Sequence, residues 1–305
     1  MRTPLSILAA SIIFITSCNS GTNQEESKNP SEPSNESTSI LEKVDLENEL
    51  IQSGISAYDW HLSLDHHRMA QETGTYTPPA IATLFSNPAI NTSILNQSGA
   101  LVGLDLPFKV LTYSEKDTAH VSVAYTSSDF IAKRHGLTSE LLDEYRIELE
   151  KVLKRIDPRL ISPTSLDSVV LNYGIVQLKS DFDFDETIQR LTKIVMAQSD
   201  TRWFGEIDFQ KDATEFGVQL KPNKLLLFGG PAPGAKAMMT TPKIGLDAFC
   251  QKLLVFENGE GEVVVAYNDI VAFSSLYYGY STKPQQLINK RLKATFLKAI
   301  STSNP

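Results

Sequence analysis

Leu84-Phe85-Ser86-Asn87-Pro88, Gly103-Leu104-Asp105 and Val123-Ala124-Tyr125 return further along the chain as Leu227-Phe228-Gly229-Gly230-Pro231, Gly245-Leu246-Asp247 and Val265-Ala266-Tyr267. The aspartate-to-tyrosine spacing is 20 residues both times. A self-similarity of this kind marks one supersecondary module written twice. Differences between the copies then show which polar residues the shared fold can do without.

Working outward from the second copy, Ser168 to Leu178 is β-branched and aromatic and predicts a strand. Asp183 followed by Glu186 is a helix start, and Ile188, Leu191, Ile194 and Val195 recur at helical spacing. Strands follow at Thr201 to Phe209 and Leu225 to Phe228. Lys252 to Phe256 and Glu262 to Tyr267 flank an Asn258-Gly259 turn as a hairpin. A helix opening at Pro284 is expected to bury Leu287, Leu292 and Phe296. The first copy repeats this from a helix capped at Ser39 and a strand over Ile55 to Leu64, and it closes with a helix over Ser139 to Ile156. Its opening strand has no counterpart, because a polar stretch lies there, so an edge of its sheet needs cover.

The expected class is α+β: two tandem units, each a curved antiparallel sheet with helices on one face, in the order β-α-β4-α. The domains read as residues 40–160 and 161–305, with Pro158 and Pro163 bracketing the linker, and the two units are expected to pair within the chain. Ahead of them, Arg2, an apolar run from Leu5 to Ile15 and Ile15-Thr16-Ser17-Cys18 read as a lipoprotein signal over residues 1–18. The run is shorter than the ~20 apolar residues of a membrane-spanning helix. The tetrapeptide resembles a bacterial lipobox, which implies acylation of Cys18 (palmitate chemistry) and a membrane anchor at the cell envelope, facing the periplasm or the outside. Residues 19–39 are polar and read as a disordered tether.

With 28 Lys+Arg against 36 Asp+Glu, the net charge is -8. An acidic balance without a basic stripe argues against nucleic acid as a partner. Two cysteines are present; with Cys18 acylated, Cys250 stays unpaired and reads as a buried thiol.

Both copies resemble the bacterial family called domain of unknown function 302. Copy one carries the resemblance in Asp65-His66, Gly74, Pro78, Phe85-Ser86-Asn87-Pro88, Leu104-Asp105-Leu106-Pro107-Phe108-Lys109 and Arg134-His135-Gly136. Copy two carries it in Asp208-Phe209, Gly217, Pro222, Phe228-Gly229-Gly230-Pro231, Leu246-Asp247 and Tyr267-Asn268-Asp269. The resemblance implies a fold like the TATA-binding-protein class and no reaction.

All 5 histidines (His61, His66, His67, His120 and His135) fall in copy one. Copy two has Phe209 in place of His66 and Tyr278 in place of His135. Its Lys252 lies five residues after Asp247, against four from Asp105 to Lys109, a shift expected to turn the side chain to the other sheet face. Copy one is therefore the expected seat of a ligand site, with His66, Asp105, Lys109 and His135 as contacts. The bland readings are an aspartate capping a turn and a lysine snorkelling from a strand edge. Neighbouring His66 and His67, taken as a strand end, would point oppositely. The glycine- and proline-rich stretch from Gly229 to Lys236 reads as a tight turn, since a phosphate loop needs Gly-Lys-Ser/Thr. Ala272 to Tyr280 is aromatic enough for core or for a groove.

No catalytic motif, no metal motif and no cofactor are nominated. The functional expectation is a lipid-anchored extracytoplasmic protein that binds or senses a small ligand, without catalysis, in a concave site on copy one or between the copies. Its rivals are an enzyme using a histidine-carboxylate set in copy one and an envelope scaffold.

Overall fold

The computed structural model describes residues 38–302 apart from Asp117, without the side chains of Trp60 and His61. The signal over residues 1–18, Cys18 and all but the end of the tether lie outside the described residues.

Copy one runs through α1 (Ile40–Gly54), β1 (Asp59–Asp65), α2 (His66–Glu72), β2 (Ala80–Ser86) and α3 (Pro88–Ser98). A 3₁₀ turn (Ala100–Leu104), β3 (Phe108–Ser114), β4 (Val121–Tyr125), α4 (Ser128–His135) and α5 (Asp143–Leu153) complete it, before β5 (Ile161–Pro163) in the linker. Copy two follows with β6 (Ile175–Lys179), α6 (Phe184–Met196), β7 (Arg202–Asp208), α7 (Phe209–Glu215), β8 (Asn223–Gly229) and α8 (Pro231–Met238). A second 3₁₀ turn (Pro242–Leu246), β9 (Gln251–Glu257), β10 (Val263–Asn268), α9 (Ile270–Tyr278) and α10 (Lys283–Ile300) end it. The class is α+β, in two five-stranded sheets ordered β1-β2-β3-β4-β5 and β6-β10-β9-β8-β7.

Local chemistry sets the same punctuation in both copies. Asp65 and Asp208 end the first long strand and cap the next helix, accepting from Arg68 N at 2.9 Å and Lys211 N at 3.0 Å. Such caps contribute about 1 kcal/mol each. Ser39 and Glu42 form the reciprocal box that opens α1. This helix lies on one face of the first sheet, where Val44 packs with Ile81 and Val121, and Gln52 reaches Ser63 and Thr83. Tyr145 of α5 meets Phe108 on that face at 4.5 Å between ring centres. In copy two, Leu191 and Val195 of α6 and Phe296 of α10 cover the sheet through Leu253, Val255 and Phe228.

The missing edge strand is supplied by the linker. β5 pairs with β4 in parallel, Val123 opposite Ile161, where β6 lies antiparallel on β10 in copy two. Residues 161–163 thus belong to the first sheet, although the linker was expected to open the second domain. Lys243 Nζ donates to Ser162 Oγ at 2.9 Å, tying this strand to copy two.

Several local expectations fail for identifiable reasons. Ser168, Asn172 and Gly174 take positive φ, which breaks extension until Ile175. The strand after α1 begins at Asp59, because Tyr58 N closes a turn onto Ile55 O. The tight turn after Gly229 is helix α8, with Pro231 in its first turn, where a missing N–H costs nothing. The aromatic stretch is largely helix α9, capped by Asp269. The helix expected over Ser139 to Ile156 opens as a 3₁₀ turn and becomes α-helical at Asp143. Leu287 faces solvent at 56% exposure.

The second face of each sheet meets the other copy. A Cβ on Gly103 would come within 3.1 Å of Leu254 Cδ1 and of the Phe209 ring; one on Gly245 would meet Leu111 Cδ1 at 3.3 Å and His66 Cδ2 at 3.5 Å. Leu111 and Leu254 are register equivalents, paired with Ala82 and Leu225. Each of these two turns therefore lies on the other copy's sheet, in a reciprocal arrangement whose close approach is eased by the absence of a Cβ at Gly103 and Gly245. Both main hydrophobic clusters draw residues from both copies.

Candidate functional site

Asp105 and Asp247 follow the 3₁₀ turns Ala100–Leu104 and Pro242–Leu246 and are buried where the copies meet, at 0% and 1% exposure. Lys109 Nζ lies between them, 3.1 Å from Asp105 Oδ1 and 2.6 Å from Asp247 Oδ1. Arg134 donates to Asp105 Oδ2 at 2.7 Å, to Asn268 Oδ1 at 2.7 Å and to the Tyr173 carbonyl at 2.8 Å. His135 Nε2 lies 2.7 Å from the same Asp105 oxygen. On the other side, Tyr277 donates to Asp247 Oδ2. Asn268 Nδ2 and Lys252 Nζ donate to the Asp247 carbonyl at 2.8 and 3.2 Å. The guanidinium of Arg134 also sits over the rings of Phe130 and Phe273, at 5.7 and 5.0 Å.

Burial alone pushes both carboxyls up, but Arg134 and Lys109 outweigh it at Asp105 and hold that group well below the usual range. Lys109, followed by Lys252, also outweighs burial at Asp247 and lowers that carboxyl. Burial works against the charge on Lys109 as well, and Asp247 and Asp105 reverse it, so its affinity for a proton rises. At Lys252 the same carboxylates, Asp247 and Asp105, pull in that direction but are outweighed. Burial, then repulsion from Lys109, lowers it to about 7.

Three of the four nominated contacts converge here: Asp105, Lys109 and His135. The aspartates do not cap turns through their carboxylates, and Lys109 does not snorkel: it lies on the central strand of its sheet, 1% exposed. Lys252 is not turned away either. It pairs opposite Leu227 as Lys109 pairs opposite Leu84, so the extra residue is absorbed ahead of β9. Arg134, Asn268 and Tyr277 were missed as site residues. The Asp105–His135 pair has hydrogen-bond length, but the carboxylate also holds Lys109 and Arg134. Within the cluster the donors and acceptors are matched, which is what makes a buried ionic network tolerable.

His66 lies elsewhere. It and His67 open α2 rather than end a strand, and both are buried. Thr77 and Gln71 engage both ring nitrogens of His67. His66 Nε2 has no hydrogen-bond partner, and burial lowers this imidazole to about 4. His120 is exposed, and the side chain of His61 is outside the described part. Cys250 is buried, its thiol pushed up to about 11 by burial. Among the described residues no three His, Cys, Asp or Glu side chains gather as for a metal.

A separate cleft of about 440 Å³ opens between α3 with its following turn in copy one and the β8 and β9 region of copy two. Asn96, Ser98, Gln177, Gln219, Asn223 and Phe256 line it. Asn223 Nδ2 donates to the Ala100 carbonyl across the junction at 3.2 Å, while its Oδ1 has no partner. The cleft's lysine and glutamate are matched to each other, Lys221 Nζ to Glu257 Oε1 at 3.0 Å.

The model of the family described as "Domain of unknown function DUF302" matches residues 45–156 and again 176–298. The chain is a tandem member of the DUF302 family. A crystal structure of an uncharacterized conserved DUF302 protein from Bacillus stearothermophilus is similar, with 18% identity, a TM-score of 0.34, and coverage of 41% of this chain and 98% of that one. The Fluoride-specific ion channel FluC 1 of Brucella suis biovar 1 is 31% identical over 100 residues, 33% of this chain and 39% of that protein. FluC 1 of Brucella abortus biovar 1 is likewise 31% identical over 100 residues, 33% of this chain and 36% of the relative. This DUF302 chain thus spans well under half of those relatives' length. None of its helices among the described residues is long and apolar enough to cross a membrane.

Proposed function

We propose that this protein is a lipid-anchored extracytoplasmic binding protein, held at the bacterial envelope through Cys18, whose two DUF302 copies form one body with a ligand cleft at their junction. The carrying observation is the 440 Å³ cleft lined from both copies, a volume in the range of small-molecule sites. Its amide and hydroxyl groups, one aromatic ring and internally matched charges suit an uncharged, hydroxyl- or amide-bearing ligand such as a sugar or short peptide. The buried ionic cluster serves this reading by fixing the copies relative to each other, so the cleft is preformed. Asp105, Lys109 and His135 then act as positioning residues rather than ligand contacts. The relatives named as ion channels accord with a place of action beside a membrane.

Thermal melting against a panel of mono- and disaccharides and dipeptides tests the cleft. At least one is expected to raise the melting temperature of the natural protein and to leave Gln177→Ala/Gln219→Ala unmoved. No shift with any probe, or equal shifts in the variant, would overturn the reading. Cys18→Ser is expected to move the protein from the membrane fraction to the soluble one.

A further inference from the structure

His66, whose Nε2 has no hydrogen-bond partner, lines a cavity of about 20 Å³ that the ionic cluster and the cleft do not use. Its wall includes Met69 and Cys250, with Leu64, Phe204 and Phe249 supplying apolar surface. The volume suits one atom or ion, since ~10–15 Å³ is the least that admits a water. A water needs two to four polar partners, and this wall offers few. Helix α8 begins here with Pro231 and Pro233, which lack N–H groups, and Gly234 N is already bonded to Gly230 O. What the wall does offer is an imidazole nitrogen, a thioether and a thiol.

We propose that His66 Nε2, the Met69 sulfur and the Cys250 sulfur hold one soft monovalent cation of the copper(I) or silver(I) kind. Three features fit that ion. Thioether and thiolate ligands select soft metals. His66 Nε2 is buried without a hydrogen-bond partner, so no protein group competes for that nitrogen, and imidazole is itself a copper ligand. On binding, the S–H bond of Cys250 breaks, its proton leaves to solvent and an S–metal bond forms without change of oxidation state. A monovalent cation on a thiolate leaves no net charge in an apolar cavity, whereas a divalent one would leave one positive charge buried without a partner.

Copy two supplies the control. Phe209 follows its capping Asp208 as His66 follows Asp65, so His66→Phe is a substitution this fold already accommodates. The natural full-length protein, kept reduced, is titrated with copper(I) held by a chromophoric chelator, and its X-ray absorption is recorded. One copper per chain with one nitrogen and two sulfur neighbours is expected. His66→Phe and Cys250→Ala should each weaken binding by more than about tenfold, the least that loss of even an outer-shell partner costs, and Met69→Leu should lose one sulfur neighbour. Thermal melting of His66→Phe is expected to match the natural protein, confirming that it folds. Copper bound equally by His66→Phe, a coordination shell without sulfur, or no binding at all would overturn the proposal. The cleft reading stands or falls separately, because the sugar and dipeptide shifts are indifferent to His66→Phe.

Discussion

Lys109 and Lys252 occupy equivalent places in their sheets, yet burial ends differently for them. Lys109 has two carboxylates within 3.1 Å, and Lys252 has a backbone carbonyl at 3.2 Å. Its proton affinity therefore falls from 10.5 in the unfolded chain to about 7 in the folded one. Below pH 7 both states hold the proton and folding carries the full cost of burying it. Between 7 and 10.5 the unfolded state binds a proton that the folded state lacks, so this group makes stability rise with pH. Lys252→Met keeps the volume and leaves the Asp247 carbonyl with its bond from Asn268. It is expected to be more stable than the natural protein by about 1–3 kcal/mol at pH 6, with the gain shrinking toward pH 10. Urea denaturation at pH 6, 8 and 10 measures it; a gain that grows with pH would contradict the assignment. At this scale the motifs were legible but were read for too few residues. Arg134 stands beside His135 in one family motif and Asn268 beside Tyr267 in another, and both complete the cluster. That Lys109 would serve Asp247, 138 positions away, is a tertiary fact that no spacing within one copy encodes.

Elements announced themselves where periodicity and caps agreed, as in α6, with its apolar stripe and Asp183 cap. They were hidden where composition argued the other way. α8 holds two prolines and a glycine, with two more glycines just ahead of it, and α9 is so aromatic that its side-chain types favour a strand. The C-terminal helix shows a subtler loss: Leu287 fits the apolar pattern but lies on the solvent side of the first turns of α10, where Gln285 is the buried residue. Phe296→Ala is expected to cost about 3–5 kcal/mol, as for a buried aromatic deletion, while Leu287→Ala changes stability by less than about 0.5 kcal/mol, as for an exposed site. Comparison of denaturant midpoints decides it, and a large cost at Leu287 would mean that this helix face is covered. The parallel strand β5 was invisible for another reason. Three residues, one of them Pro163, carry no strand signal of their own, and only the exposed edge of β4 makes them one.

Across the whole molecule, the duplication was legible as repetition, and the reciprocal packing was not, since it depends on which sheet faces meet. The shared hydrophobic clusters and the Lys109 bridge mean that neither copy keeps a satisfied interior without the other. The folded part is expected to melt in one cooperative transition, with calorimetric and van't Hoff enthalpies equal. Two resolved transitions, or a stable fragment of residues 38–164, would contradict this.

The reciprocal seating of the glycine turns also bears on stoichiometry. An assembly of two identical chains must present every feature in duplicate, so a histidine against one turn would require a histidine against the other. Here one continuous polypeptide places His66 against Gly245 and Phe209 against Gly103. Covalent joining has released the pair from that obligation. One half can carry a polar, reactive side chain while its twin stays greasy and inert, giving a single specialised position per polypeptide where a symmetric dimer would have been bound to two.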